Sequence, residues 1–321
     1  MESSEHELIL PIIKEDNTCL PLSINAVSKY WNIDLPMTEA IDISKKYSNV
    51  NGSILIEGIE LAERHGLASI ISHSNLSELK KLIDMGIPPI VILPGVQNVI
   101  QHASVISGYD DVSKTIMHYI PEEGNDEEFK VGVIPEKQFD KIWSEDGRIM
   151  IILAPTDIMM KVSISNENSI KSNRLCFLSE RLNLLKNTEE AIDTLNQAIK
   201  LDEKNSTAYS LLGSIYNEQN SPECVDNYKK SIEINNNSFL GYRGLGNFYL
   251  KSQDFPESEK YYSNAIDINS TRYGPIYKNR AITRMQQNKN TQAKSDLENY
   301  LKYTPNASDK ESIQQAISEL N

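Results

Sequence analysis

DNTCLPLSINAVSKYW, residues 16–31, decides how the N-terminal half is read. Pro21 suits a first helical turn, and Leu22, Ala26, Val27 and Tyr30 then recur at helical spacing, so the stretch predicts a helix opening at Cys19. Unpaired N–H groups and the positive end of the helix dipole stabilise an anion there, which predicts a lowered thiol pKa. Further on, QHASVISGYDD (101–111) alternates as a strand, with Ala103, Val105 and Ser107 on one side and Ser104 and Ile106 on the other. His102 starts that strand, which would hold its imidazole rigidly. A thiol at a helix start and an imidazole at a strand start are the parts of a nucleophile and its base. Taken alone, Cys19 reads equally as a buried structural thiol, since free cysteines are among the most buried residues.

The segments around these two extend the pattern. They are NGSILIEGIELAERHGL (51–67), LSELKKLIDMGIPPIVIL (76–93), a turn and strand ending in IPEEG (120–124), and IPEKQFDKIWSEDGRIMIILAP (134–155). In this order, with the cysteine helix and histidine strand in place, the chain over about residues 8–155 resembles the bacteriocin-processing (double-glycine) peptidases, a branch of the papain-like cysteine peptidases. The resemblance implies an α+β papain-like domain in which ELKKLIDMGIPPIVIL is a helix running into a buried strand and EKQFDKIW a closing helix. It implies Cys19 as nucleophile and His102 as the base that takes its proton and later protonates the leaving amine.

Three positions depart from the family pattern. A glutamine six residues before the cysteine normally helps bind the oxyanion; Ile13 stands there, with Lys14 beside it. An aspartate normally precedes the proline after the histidine strand and orients the imidazole; here Ile120 precedes Pro121. The glycine that usually follows the nucleophile is Leu20, which would crowd the sulfur. Losing one oxyanion donor costs about 100- to 1000-fold in rate, and losing an orienting carboxylate about 10,000-fold, less in many cysteine systems. Asn17, Lys14 and His118 lie near the vacated places in sequence. Two readings follow. One is a cysteine peptidase acting through a Cys19–His102 dyad, with hydrolysis and acyl transfer sharing one thioester. The other is an inactive papain-like peptide-binding scaffold. Relatives cut after paired glycines, but no residue of this chain specifies its own cleavage preference.

The second half carries an internal repeat. Ser179, Gly213, Gly246 and Ala281, separated by 34, 33 and 35 residues, occupy one small-residue position. Leu178, Leu212, Leu245 and Arg280 precede them, and Leu182, Tyr216, Tyr249 and Arg284 follow three residues later. A second series reads Ala191, Cys224, Ser258 and Ala293, then Leu195, Tyr228, Tyr262 and Leu297, then Ala198, Ser231, Ala265 and Tyr300. This resembles the tetratricopeptide repeat, a helix–turn–helix unit of about 34 residues. Four repeats are expected over about residues 172–305, followed by a capping helix, ASDKESIQQAISEL, with Ser308 at its N-cap. Cys224 and the tyrosines read as core packing, and Arg280 and Arg284 as an end repeat meeting solvent.

The expected fold class is therefore an α+β papain-like domain (1–158), a linker (159–171) and an all-α tetratricopeptide-repeat solenoid (172–321); 321 residues suit two domains. The run PEEGNDEEF (121–129) reads as a solvated acidic loop. A net charge of −13 argues against nucleic acid or an anionic membrane as partner and attracts a basic peptide better. MESSEHELIL lacks a basic start and an apolar core, so no secretory segment is expected and the chain is expected in the cytoplasm. Three cysteines form neither a disulfide framework nor a metal pattern. His6, His65, His73 and His118 have no partners at metal-ligand spacing. No cofactor is expected.

Overall fold

Within the unbroken apolar run Ile149–Ala154, Ile149, Ile151 and Leu153 belong to one hydrophobic cluster while Met150 and Ile152 belong to another. A strand of period two that is apolar on both faces must be covered on both sides. The computed structural model of the chain describes residues 5–8, 19–47, 54–95, 101–120, 130–163 and 166–320. They divide into two compact units, Met1–Leu93 with His102–Asn205, and Pro94–Gln101 with Ser206–Asn321.

Among the described residues, the first unit holds seven strands: β1 (Glu5–Glu7), β2 (Ala68–His73), β3 (Ile90–Pro94), β4 (Gln101–Asp110), β5 (Thr115–Ile120), β6 (Lys130–Pro135) and β7 (Ile149–Ala154). Their order is β2-β7-β3-β4-β5-β6, with β1 added beside β4. On one face lie α1 (Cys19–Tyr30), α2 (Met37–Lys45) and α3 (Leu55–Arg64), which meet Ile71, Ile90, Ala103, Val105 and Ile151. On the other lie α4 (Leu76–Asp84) and α5 (Glu136–Ser144), whose Leu79, Phe139 and Trp143 meet Val91, Ile106 and Ile152. The expected helix running into a buried strand is α4 with β3, and the expected closing helix is α5. β4 bulges between Ile106 and Gly108. Only glycine fits at 108, because a Cβ there would stand 2.3 Å from the His6 carbonyl oxygen on β1.

After the short α6 (Thr156–Met159), α7 (Glu167–Leu184) and α8 (Thr188–Leu201) form a helical hairpin within the same unit. α7 opens inside the stretch read as linker because the Asn166 side chain accepts from the amides of Asn168 and Ser169, an N-cap that needs no apolar pattern to announce it. The helix is fastened along its length. Asn173 Nδ2 donates to the carbonyl of Ile71 on edge strand β2 at 3.1 Å, and Phe177 enters the α1–α3 cluster. Arg174 reaches both carboxylate oxygens of Glu63 at 2.7 and 2.8 Å, and Arg181 reaches Glu60 at 2.6 Å.

The second unit contains α9 (Ser206–Glu218), α10 (Glu223–Ile234), α11 (Phe239–Lys251), α12 (Phe255–Ile268), α13 (Pro275–Met285), α14 (Asn290–Tyr303) and α15 (Lys310–Glu319). The small residues sit where helices cross: a Cβ on Gly246 would stand 2.5 Å from the Tyr262 ring, and Ala281 and Ala293 are fully buried. Two expectations are corrected. Arg280 and Arg284 are largely buried, 12 % and 15 % exposed, rather than facing solvent. They converge at 2.7 and 2.8 Å on Asp296, which is 2 % exposed, and Arg284 also reaches Glu259 at 2.9 Å. The carboxylates come from neighbouring helices α14 and α12, out of sight of a comparison made along α13. Capping helix α15 starts at Lys310 rather than after Ser308, with Asp309 at its N-cap, and the Asp309 carboxylate is taken by Tyr300 (2.7 Å) and Lys278. Asp296→Ala, which leaves the largely buried Arg280 guanidinium without its carboxylate and Arg284 with Glu259 alone, is expected to cost about 3–5 kcal/mol. Urea unfolding checks it; a midpoint like that of the unaltered chain would show that the pair contributes nothing.

Among the described residues, no helix is long and apolar enough to cross a membrane.

Candidate thiol site

Cys19 is the first residue of α1, half-buried and packed against the cluster on the helical face of the sheet. One turn on, Ser23 donates from its hydroxyl to the Cys19 carbonyl at 2.7 Å, and the same oxygen lies 3.4 Å from the Ala103 carbonyl. The Ala103 amide donates to Cys19 Sγ at 3.5 Å. The first turn of α1 is thus held against the first residues of β4, and His102 is the residue next to the one that touches the sulfur. Sequence reading placed both elements but missed Ser23 and the Ala103 amide. The serine one helical turn after the cysteine was the available signal; a backbone amide leaves none. Among the described residues, no hydrogen bond joins His102 to Cys19.

The thiol does not follow the expected lowering. Burial pushes the Cys19 thiol up, and the amides of Ala103 and Leu20, which pull the other way, do not outweigh it. Burial likewise pushes the His102 imidazole down. Both shifts favour uncharged forms, so the resting pair is a neutral thiol beside a strand carrying a neutral imidazole. A neutral imidazole is the form able to accept a proton.

His118, singled out for its place near the missing aspartate, lies on β5 opposite Ile106. Burial first, and then the nearness of His102, push its pKa down to about 4. Ser104 spends its one hydroxyl proton on the Tyr119 carbonyl at 2.8 Å, so the 3.1 Å contact between Ser104 Oγ and His118 Nδ1 requires the imidazole to donate. His118 Nε2 is then left as a lone-pair acceptor, uncharged, in the neighbourhood of His102. Leu20 is buried, with its side chain close to Gly58 of α3. Ile120 is the last residue of β5. Ile13, Lys14, Asn17, Pro121 and the acidic run 121–129 lie outside the described residues.

Other candidate residues go to structural work. His73 contacts the Gly147 carbonyl and Asn205, His65 pairs with Glu39 at 3.1 Å, and His6 pairs with Asp84 at 2.8 Å. Cys176 and Cys224 are buried, and burial pushes the Cys224 thiol up to about 11. Among the described residues, no group of three His, Cys, Asp or Glu is placed to hold a metal ion.

A family model described as the Peptidase_C39 like family matches residues 4–151, and a model of the TPR repeat matches residues 181–220. The chain carries a peptidase C39-like domain followed by tetratricopeptide repeats. The residues matched by the C39 model carry strands β1 to β6 and the start of β7. Among solved structures, a double glycine motif protease from an AMS/PCAT transporter in complex with the leader peptide is 21% identical, with 47% of this chain and 94% of that chain covered at a TM-score of 0.36. The pilF protein of Pseudomonas aeruginosa is 19% identical over 48% of this chain and 68% of that one, at a TM-score of 0.43. YrrB, described as a TPR protein with an unusual peptide-binding site, is 16% identical over 46% and 82%, at 0.40. No curated protein matches the chain.

Proposed function

We propose that the C39-like domain is a cysteine peptidase acting on a peptide or protein, with Cys19 as nucleophile and His102 as base, and that the repeats recruit the substrate or a partner. The contact of the Ala103 amide with Cys19 Sγ supports this reading, because it ties the start of the cysteine helix to the start of the histidine strand. Since the resting groups are neutral, the thiol proton passes to His102 as sulfur attacks the carbonyl carbon. The tetrahedral adduct then expels the amine, which takes the proton back, and water or an amine cleaves the thioester. The chain works without a cofactor, in the reducing cytoplasm where free thiols persist. Its net charge of −13 draws basic peptides at long range.

The second reading is a peptide-binding scaffold without catalysis. Ile13 and Ile120 at the family's glutamine and aspartate positions favour it, as do pKa shifts that oppose a preformed ion pair. A peptide thioester separates the two at pH 7. The peptidase acquires a mass corresponding to the acyl group at Cys19, and His102→Ala slows this by about 100- to 10,000-fold. A chain that binds the thioester but never carries the acyl group is the scaffold. Cys19→Ala extends the test to cells, where the enzyme would lose all function with binding intact.

A further inference from the structure

His73 ends β2, and both nitrogens of its ring are engaged: Nδ1 lies 2.5 Å from the Gly147 carbonyl oxygen, and Nε2 lies 3.2 Å from Asn205 Oδ1. A carbonyl oxygen only accepts, so Nδ1 carries a proton. Whether Nε2 carries one as well depends on which way the Asn205 amide is turned. Two backbone carbonyls on its far side fix that. Asn173 Nδ2 donates to the Ile71 carbonyl at 3.1 Å, which turns Asn173 Oδ1 towards Asn205. Ser172 spends its one hydroxyl proton on the Ala198 carbonyl at 2.7 Å, so towards Asn205 it too only accepts. Asn205 Nδ2 donates to both, at 2.8 and 2.9 Å, and its Oδ1 is the atom left for His73. Reversing the amide would set oxygen against oxygen at both contacts among residues at most 2 % exposed.

Every acceptor in this relay is served only when both His73 nitrogens donate, which makes the ring an imidazolium. A neutral ring turns a lone pair on the Gly147 carbonyl or on Asn205 Oδ1. The surrounding charges have the sign a cation needs. Glu145 and Asp146, 2 % and 7 % exposed, precede Gly147 in its turn, and Asp202 stands in the turn that ends at Asn205. On α7, burial pushes Glu180 up to about 7 and also raises the Cys176 thiol, whose sulfur lies 3.6 Å from Asn205 Nδ2 and adds no charge. Of the cations on these segments, Arg148 and Arg174 are each held by both oxygens of a carboxylate, Asp140 and Glu63, and Lys204 is exposed.

We propose that His73 is a proton-operated clasp: as imidazolium it closes the hydrogen-bond relay that fastens the α7–α8 hairpin to the end of β2 and to the Gly147 turn, and as imidazole it opens that relay. The proposal is independent of Cys19 and of what the repeats bind. The folded chain holds a proton that the unfolded chain gives up above about pH 6.5, so the clasp contributes in full at lower pH and is lost as pH rises.

NMR of the full chain with 15N-labelled histidine tests it at pH 7.5. His6→Gln and His65→Gln together remove the two imidazoles that pair with exposed carboxylates, and burial keeps His102 and His118 uncharged. One ring with both nitrogens protonated in more than half of the molecules is expected, where an ordinary histidine keeps about a tenth of its protons. Three uncharged rings overturn the proposal, and this result needs no substitution at His73. In the same background the urea midpoint, read by tryptophan fluorescence, is expected to fall between pH 6 and pH 8.5. His73→Gln is expected to remove at least half of that fall, the remainder belonging to Glu180 and other groups. A fall that His73→Gln leaves whole would show that the proton has no bearing on the fastening and would overturn the clasp.

Discussion

A chain ending at Ser163 is expected to lose most of the stability of the C39-like domain, while one ending at Asn205 keeps it. The family match ends at residue 151, but the compact unit runs on through the first helical hairpin. Removing α7 uncovers the cluster that holds Phe177, leaves the Ile71 carbonyl on edge strand β2 without Asn173, and strips Arg174 and Arg181 from Glu63 and Glu60. The two ion pairs are about a quarter to a third exposed and count for little each. The lost burial around Phe177 weighs more, and the whole amounts to about 5 kcal/mol. That equals the lower end of a domain's total stability. Trp31 and Trp143 both lie in this unit, and the chain has only these two tryptophans, so their fluorescence during urea unfolding reports it alone. Equal midpoints for the two truncated chains would show that the hairpin merely rests on the sheet.

Alkylation of Cys19 by iodoacetamide is expected to rise steeply with pH, by at least about 100-fold between pH 6 and pH 9. The sign follows from burial. A thiol raised above its ordinary value of about 8.5 holds almost no thiolate at neutral pH, and its thiolate fraction grows about tenfold per pH unit until that value is passed. His102, lowered by burial, is mostly uncharged from neutral pH upward and provides no cation there to stabilise a thiolate. His102→Ala should therefore leave the alkylation profile in place while slowing acylation by a peptide thioester, because only the second reaction needs a base. Mass spectrometry locates the label, with buried Cys176 and Cys224 as internal controls. A plateau of rapid labelling extending below pH 7 and lost in His102→Ala would show a preformed thiolate–imidazolium pair and sink the neutral resting state.

Much of the fold was legible because local pattern and burial agree. Alternation from Gln101 makes β4, helical spacing after Cys19 makes α1, and small residues recurring at about 34 mark where helices cross. The site was half legible. Residue type and order nominate Cys19 and His102, the pair of the proposed function, but the contact that joins their elements is made by the backbone amide of Ala103, and no side chain encodes it. The helix-dipole argument for an acidic thiol failed because it considered α1 alone, whereas the desolvation comes from the sheet against which α1 packs.

What the sequence determined by itself was the cysteine helix, the histidine strand and the repeating helix pairs, with the residue types offered at their starts, since these rest on interactions within a few residues or a repeating period. Tertiary structure alone decided which groups would be charged and which would be paired. Arg280 and Arg284 meet carboxylates contributed by other helices, and the first helical hairpin joins the sheet unit through residues more than a hundred positions away. Charge and hydrogen bonding depend on distance and on access to water, and neither quantity exists until the chain has folded.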